Sequence, residues 1–383
     1  MAGGILILAA AMGIGRFAYT PVLPLMQQVL RFNDAQAGLV ASANYVGYLI
    51  GALLVALVRL DRSRDRALAG CLGVVVVTTG LMATTTSIPA WGLVRFLTGV
   101  ASAGAFVLAS AEVLELLRWR GAARSSGWFY AGVGLGIALT GAVVRIAGGA
   151  YAWQGAWLIL AVLAAALIAV AWPLLPHTSR VIPAAPPPRP PLAARATLGV
   201  LLAAYFLEGA GYSATATFLV ALVDRMPGLN TIGTSAWIVV GLAAAPSCVL
   251  WSRLAGRAGF IPALTLAYLA QACAMALPVV GSGVIVVLAS ALFFGGTFMG
   301  IVTLTLTLGG EIAPDRPAAV IGWLTAAFGL GQVVGPAGGG FIAVRAHAFS
   351  PVLAVAALSV LLGGILVAGL WRRDPRIGRS TAQ

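Results

Sequence analysis

The chain has 383 residues, of which 61% are hydrophobic and only 9% charged. A soluble domain is roughly a quarter charged and about half apolar, so this composition excludes a water-soluble enzyme and equally a disordered chain. The net charge of +13 would point to nucleic acid in a soluble protein; here it reads as arginines gathered on one face of a membrane, with no nucleic-acid partner.

A membrane-crossing helix needs roughly 20 mostly apolar residues. In chain order twelve runs reach that length: Gly3–Leu30, Ala35–Val58, Ala67–Thr86, Ala90–Leu117, Ser125–Val144 and Ala150–Leu175, then Thr197–Val223, Thr231–Ser252, Phe260–Val280, Gly283–Gly309, Ala318–Val344 and Pro351–Trp371. The first has no positive n-region before it and is too long for a secretory leader, so it is read as a retained span. Cys71, Cys248 and Cys273 each lie inside an apolar run, which gives neither a disulfide framework nor metal-ligand spacing.

Arginine placement orients the spans. With the N-terminus inside, seventeen of the 23 arginines fall in cytoplasmic segments, beginning with Arg59, Arg62, Arg64 and Arg66. Four lie outside (Arg31, Arg145, Arg225 and Arg345), and Arg16 and Arg95 remain in the membrane. The positive-inside rule then places both termini in the cytoplasm. The longest connection, 176–196, contains the proline-rich stretch Pro183–Pro191 and reads as an extended cytoplasmic linker. It separates a six-helix bundle at 1–175 from a second at 197–371, with a cytoplasmic tail at 372–383. The expected fold is an all-α polytopic membrane protein of twelve transmembrane helices.

The two bundles echo each other at a nearly constant offset, as duplication would leave them. Gly13-Ile-Gly-Arg16 corresponds to Gly209-Ala-Gly-Tyr212, Arg59-Leu60 to Arg253-Leu254, and Gly134-Leu-Gly136 to Gly329-Leu-Gly331.

An ionisable group in hydrocarbon costs several kcal/mol, so each one needs a reason. Arg16 and Glu208 sit at matched depths in spans one and seven. Arg95 lies in the outer part of span four, Glu112 near its cytoplasmic end, and Glu311 at the cytoplasmic end of span ten. Arg16 reads as a binding-site cation for an anionic or carbonyl-bearing substrate, or as a tether holding span one near Pro21 and Pro24. Glu208 reads as a proton-coupling carboxylate, because burial favours its neutral form and an approaching cation its charged form, or as a fixed partner of Arg16. Arg95 either joins the site or snorkels to the outer interface. Glu112 and Glu311 stand beside basic loops, as gate salt bridges would. Tyr19, Tyr205, Tyr212, Asn44, Tyr45, Gln271 and Gln332 are candidate polar contacts in a cavity. Trp91, Tyr151 and Trp153, near span ends, read as interfacial anchors.

Twelve spans in two six-helix halves, inside termini and a charged loop after span two resemble the major facilitator superfamily, whose first, fourth, seventh and tenth helices line a central cavity. The segments Gly13-Ile-Gly-Arg-Phe-Ala-Tyr-Thr-Pro-Val-Leu-Pro-Leu-Met26, Tyr205-Phe-Leu-Glu-Gly-Ala-Gly-Tyr212 and Thr217-Phe-Leu-Val220 resemble its bacterial YbfB-type branch. Leu60-Asp61-Arg62 matches part of the superfamily's loop motif without its glycines, which implies an ion-paired cytoplasmic latch at Asp61 and Arg62. Arg95-Phe-Leu-Thr-Gly99 is similar to the fourth-helix motif linked with proton transfer in the superfamily's antiporters. Gly132-Val-Gly-Leu-Gly136 with Gly141 is similar to the fifth-helix antiporter motif, lacking its Pro.

The chain holds no P-loop, HExxH or GxSxG motif, and His177 and His347 are far apart. No enzyme activity, cofactor or metal is therefore expected. The leading expectation is a monomeric secondary transporter of the bacterial inner membrane, exporting a small organic molecule in exchange for protons. Glu208 would carry the proton, and Arg16, with Tyr19, Arg95 and Tyr212, would form the substrate or coupling site. Its partners would be that small molecule, protons and the lipid bilayer. The alternatives are an importer of a small organic anion held by Arg16 and Arg95, and a non-transporting membrane sensor. A channel would need a ring-like filter, which the unequal charges do not supply.

Overall fold

A computed structural model describes residues 1–57, 64–121, 126–147, 153–175, 192–230, 232–312 and 317–373. The Asp61–Arg62 latch, the proline-rich linker, Tyr151 and the tail beyond residue 373 lie outside these. The described residues form twelve helical rods and no strand. They are α1 (Ala2–Leu30), α2 (Asp34–Leu57), α3 (Arg64–Leu81), α4 (Ile88–Trp119), α5 (Ser126–Ala147) and α6 (Trp153–Ala171), then α7 (Leu192–Asp224), α8 (Gly233–Ala258), α9 (Phe260–Val280), α10 (Val284–Ile312), α11 (Pro317–Ala346) and α12 (Ser350–Arg373).

Eleven of these are long and apolar enough to cross a bilayer. The exception is α3, which has 18 residues and opens on Arg64, Asp65 and Arg66. It ends at Leu81, short of the expected Thr86, because the hydroxyl-rich Thr84-Thr-Thr-Ser87 favours turns over helix, and Pro89 then sits in the first turn of α4.

The helices pack in definite pairs. α2 lies on α4 and α11, and α8 lies on α10 and α5. α1 packs on α5, α7 on α11, α3 on α6, and α9 on α12. Lipid tails are as apolar as leucine, so close backbone approach at small residues drives such packing. Gly13 of α1 touches Gly136 of α5 so closely that a Cβ at Gly13 would run into the Gly136 backbone. Gly134, on the same helix, instead meets Gly241 and Ala245 of α8, and Gly38 of α2 meets the Pro336 carbonyl of α11.

Apolar side chains point outward as well as inward: Val162 is 70% exposed and Ile285 84%. In water such a surface would aggregate; in hydrocarbon it is the solvated face. Trp91 and Trp153 correct the expectation of an interfacial belt, for both are buried. Their rings meet edge to face at 5.6 Å, and Trp91 Nε1 donates to the Met82 carbonyl at 3.1 Å. Met82 follows the end of α3, where helix carbonyls lose their intrahelical donors, and a neighbouring indole N–H supplies one.

Candidate functional site

The site begins with a break in α1. Ala9–Ile14 is a π-helical segment, in which Gly15 N donates to the Ala10 carbonyl and Phe17 N to that of Met12. The regular helix resumes only at Tyr19. Thr20 N donates to the Phe17 carbonyl at 3.3 Å instead of continuing the i to i−4 ladder, so carbonyls within the break need other donors. Arg95 of α4 supplies them. Its Nη1 donates to the Gly15 carbonyl at 2.8 Å and its Nη2 to the Arg16 carbonyl at 2.7 Å. Asn44 of α2 in turn donates to the Arg95 carbonyl at 2.9 Å. Arg95 is 2% exposed; rather than snorkelling to the interface, it braces the broken helix. Irregular backbone at this depth is tolerated where protein satisfies it.

The break aims the Arg16 side chain into a cavity of about 600 Å³. The wall comes from α1, α2, α4, α5, α7, α10 and α11, so the expected first, fourth, seventh and tenth helices are joined by three others. Arg16 Nη2 donates to Gln332 Oε1 at 2.7 Å, linking α1 to α11. Its guanidinium lies 3.8 Å from the centre of the Tyr48 ring and 4.9 Å from that of Tyr45. Among the described residues Arg16 is the one charged side chain on the wall. Tyr205, Tyr212, Phe298 and Phe328, also on the wall, are stacked in layers.

One end of the cavity is open. Thr307 and Ile321, near the end of α10 and the start of α11, are exposed and on its wall. This is the end of the bundle where Met1 lies, since Gly4 of α1 abuts Val113 of α4 and Phe129 of α5. The other end is closed. There Arg225, just past α7, grips Asp34 at the start of α2 with two hydrogen bonds of 2.8 and 2.9 Å. It also donates to Gln27 Oε1 at 3.1 Å and lies over the Phe349 ring at 4.7 Å. Gln27 completes the clamp by donating to Asp34 at 2.9 Å. Beneath it Thr20 of α1 donates to the Ala216 carbonyl of α7 at 2.7 Å.

The remaining candidates scatter. Glu208 is fully buried on α7, accepts from Gln271 Nε2 of α9 at 2.9 Å, and is absent from the cavity wall. No ion pair joins it to Arg16 among the described residues. Tyr212 is on the wall; Tyr19 is behind it and donates to the Ala37 carbonyl at 3.2 Å. Glu112 is buried in α4, whereas Glu311 is exposed at the end of α10. Near the expected latch, Arg64 approaches Glu115 of α4 at 3.9 Å.

A family model described as "Uncharacterised MFS-type transporter YbfB" matches residues 8–368. The chain belongs to this major facilitator family. It is 24% identical over 384 residues to the uncharacterized MFS-type transporter YceJ of Bacillus subtilis (strain 168), covering 97% of this chain and 96% of that one. Two crystal structures of the nucleoside transporter NupG, one of them a point mutant, superpose with TM-scores of 0.75 and 0.76 at 18% identity. They cover 97% of this chain and at least 99% of theirs; at that identity they establish the fold alone. The relatives of this MFS protein are transporters, not enzymes.

For this MFS chain the sequence reading missed Tyr48, the ring against Arg16, although it lies one turn beyond the chosen Asn44 and Tyr45 on the same helix face. It also missed the clamp. Asp34 and Arg225 both read as loop charges, and their meeting depends on a contact between two bundles that no local pattern encodes.

Proposed function

We propose that the chain is a secondary active carrier of the bacterial inner membrane, working by alternating access and exporting a small organic molecule against an inward flow of protons. The observation that carries this reading is a cavity open at the Met1 end and clamped at the other by Arg225, Asp34 and Gln27. A site reachable from one side and sealed on the other by breakable polar contacts is what alternating access requires. The helix pairs recur on adding six to each helix number: α2 on α4 and α11, α8 on α10 and α5. That recurrence supports two pseudo-repeated six-helix bundles rocking about the cavity. Arginine placement makes the Met1 end cytoplasmic, so the open cavity faces the side on which an exporter loads. The antiporter-like motifs at Arg95 and in α5 support the same direction.

In this reading Glu208 binds the proton. It lies one helical turn from the wall residue Tyr205, and its Oε2 lacks a hydrogen-bond partner within the protein. The test uses proteoliposomes loaded with a pH-sensitive dye and challenged with pooled metabolites and amphipathic drugs. Wild-type protein is expected to give a cargo-triggered proton signal that Glu208→Gln reduces at least about tenfold, the loss expected of a required proton-transfer group. Undiminished flux in the variant removes Glu208 from coupling. Saturable cargo flux without proton movement replaces proton exchange by uniport or another ion.

Import of an organic anion is a second reading, favoured by Arg16 being the one charge on the wall. It is selected if externally added anion accumulates in vesicles under an inward proton gradient.

A further inference from the structure

We propose that the cavity takes a planar aromatic monocarboxylate, its carboxylate held by Arg16 and its ring laid against the aromatic surface of α7, α10 and α11. This deepens the carrier reading and rests on it for transport, though not for binding.

The first observation is the state of Arg16. Its side chain is nine-tenths buried or more, at 5% exposure, and lines the cavity. Its polar partners are neutral, the Gln332 Oε1 amide oxygen and the Tyr48 hydroxyl, and its Nε has no hydrogen-bond partner among the described residues. Among the described residues no carboxylate is on the wall to balance it. A guanidinium carries five donors in a fixed fork that matches a carboxylate bidentately. The Tyr48 ring, 3.8 Å from the guanidinium, holds the fork in place by a cation–π contact. A carboxylate would therefore gain two charge-assisted bonds while displacing one neutral acceptor.

The second observation is the aromatic part of the wall. Tyr205 and Phe328 stack at 4.4 Å with 15° between their planes, Tyr212 and Phe298 at 5.0 Å and 20°, and Tyr212 and Phe328 at 6.1 Å and 23°. Rings stacked in such nearly parallel layers form a column that a flat aromatic partner can extend in offset stacking. The other polar groups on the wall are neutral: tyrosine hydroxyls, the Gln332 amide, and the hydroxyls of Thr303, Thr307 and Thr325, which already donate to carbonyls of their own helices. A neutral cargo, such as a nucleoside, would leave the buried Arg16 charge without a counter-charge.

The third observation sets the charge. Arg95, the nearest other cation, spends both Nη groups on the Gly15 and Arg16 carbonyls and is off the wall. One available guanidinium fits one negative charge. At about 600 Å³ the cavity is of ordinary small-molecule size, enough for one or two fused rings.

Gln332 then acts as a stand-in: its amide oxygen occupies the fork until a carboxylate takes its place. Gln332→Glu would supply that carboxylate internally without changing size, and should compete with cargo.

Binding is measured by calorimetry on full-length protein in lipid nanodiscs, with 2-naphthoate as the probe. Naphthoate is expected to bind at least about tenfold more tightly than 2-naphthamide or uridine, which lack the charge-assisted bonds, than cyclohexanecarboxylate, which cannot stack, and than 2,6-naphthalenedicarboxylate, whose second charge would be buried unpaired. Arg16→Gln should erase the preference for naphthoate over naphthamide, Arg16→Lys should keep part of it, and Gln332→Glu should weaken naphthoate about tenfold or more while leaving naphthamide unchanged. Equal binding of acid and amide, undiminished binding to Gln332→Glu, or tighter binding of uridine would each overturn the proposal. If no probe binds but another compound shows saturable counterflow, the cargo inference falls and the carrier reading stands. If naphthoate binds as expected and no compound is moved, the site stands and the carrier reading falls.

Discussion

Arg95→Gln is expected to lower stability by about 2–6 kcal/mol, because it orphans two buried carbonyls at roughly 1–3 kcal/mol each. The Gly15 and Arg16 carbonyls have no helical donor where α1 leaves its π-helical segment, and the Arg95 fork spans both. Glutamine is shorter, and its single amide group cannot reach as far or donate from two separate nitrogens. The expected result in a thermal unfolding scan of detergent-purified protein is an apparent Tm lower by on the order of 10 °C. Arg95→Lys should fall between, since an ammonium is a point donor without the fork. If Arg95 were instead a cargo ligand, the Gln variant would unfold like the wild type and lose affinity alone. The same variant should also lose cargo binding, because the backbone it braces is what points Arg16 into the cavity. Restored cargo binding without restored Tm, on any second-site change, would separate the two roles.

The sequence carried the spans clearly because their signal is local: twenty apolar residues are visible in any window, and eleven of the twelve runs reappear as membrane-length helices. It also carried the close helix contacts, through glycine. Gly134 and Gly329 stand at one offset, and the structure puts the first against α8 and the second against Leu49 of α2. Gly136 and Gly331, two residues on, face α1 and α7 respectively. The offset was legible; which neighbour each glycine met was not.

The charges inside the membrane were found for the same reason, being rare and costly there. What they do depends on partners distant in the chain. Arg16 and Glu208 share depth and helix rank, which made a pair of them reasonable from sequence. In the structure each has a neutral partner instead, Gln332 for one and Gln271 for the other. Rotation about the helix axis decides this, and near-continuous hydrophobicity hides rotation, since a helix apolar all round shows no face. The aromatic wall was obscured likewise: Phe298 and Phe328 look like any lipid-facing phenylalanine until packing turns them inward.

Breaking the Arg225–Asp34 clamp should shift the resting population toward a conformer open at that end. The clamp is bidentate and shares Gln27, and Asp34 is 13% exposed at its side chain while Arg225 is 48% exposed. Exposure halves what such a pair contributes in a dry site, leaving roughly 2 kcal/mol for the charge-assisted set. That corresponds to an approximately thirtyfold change in the ratio of closed to open conformers. Spin labels at Val29→Cys and Asn230→Cys, on a background without Cys71, Cys248 and Cys273, would report the separation by pulsed electron resonance. Arg225→Gln is expected to transfer population to a longer distance, and Asp34→Asn to do the same. The double variant should do no more than either single one, because both remove one shared interaction and their effects are not additive. Exchanging the charges, Asp34→Arg with Arg225→Asp, should recover part of the short distance, incompletely because the Gln27 contacts are set for the native arrangement. Independent, additive effects of the two single changes would mean that each residue acts on its own surroundings and that the far end is held by packing at Thr20, Ala216 and Phe349 instead. The wild-type distance should also lengthen when cargo is supplied under an inward proton gradient, since a carrier must open the clamp once in each cycle.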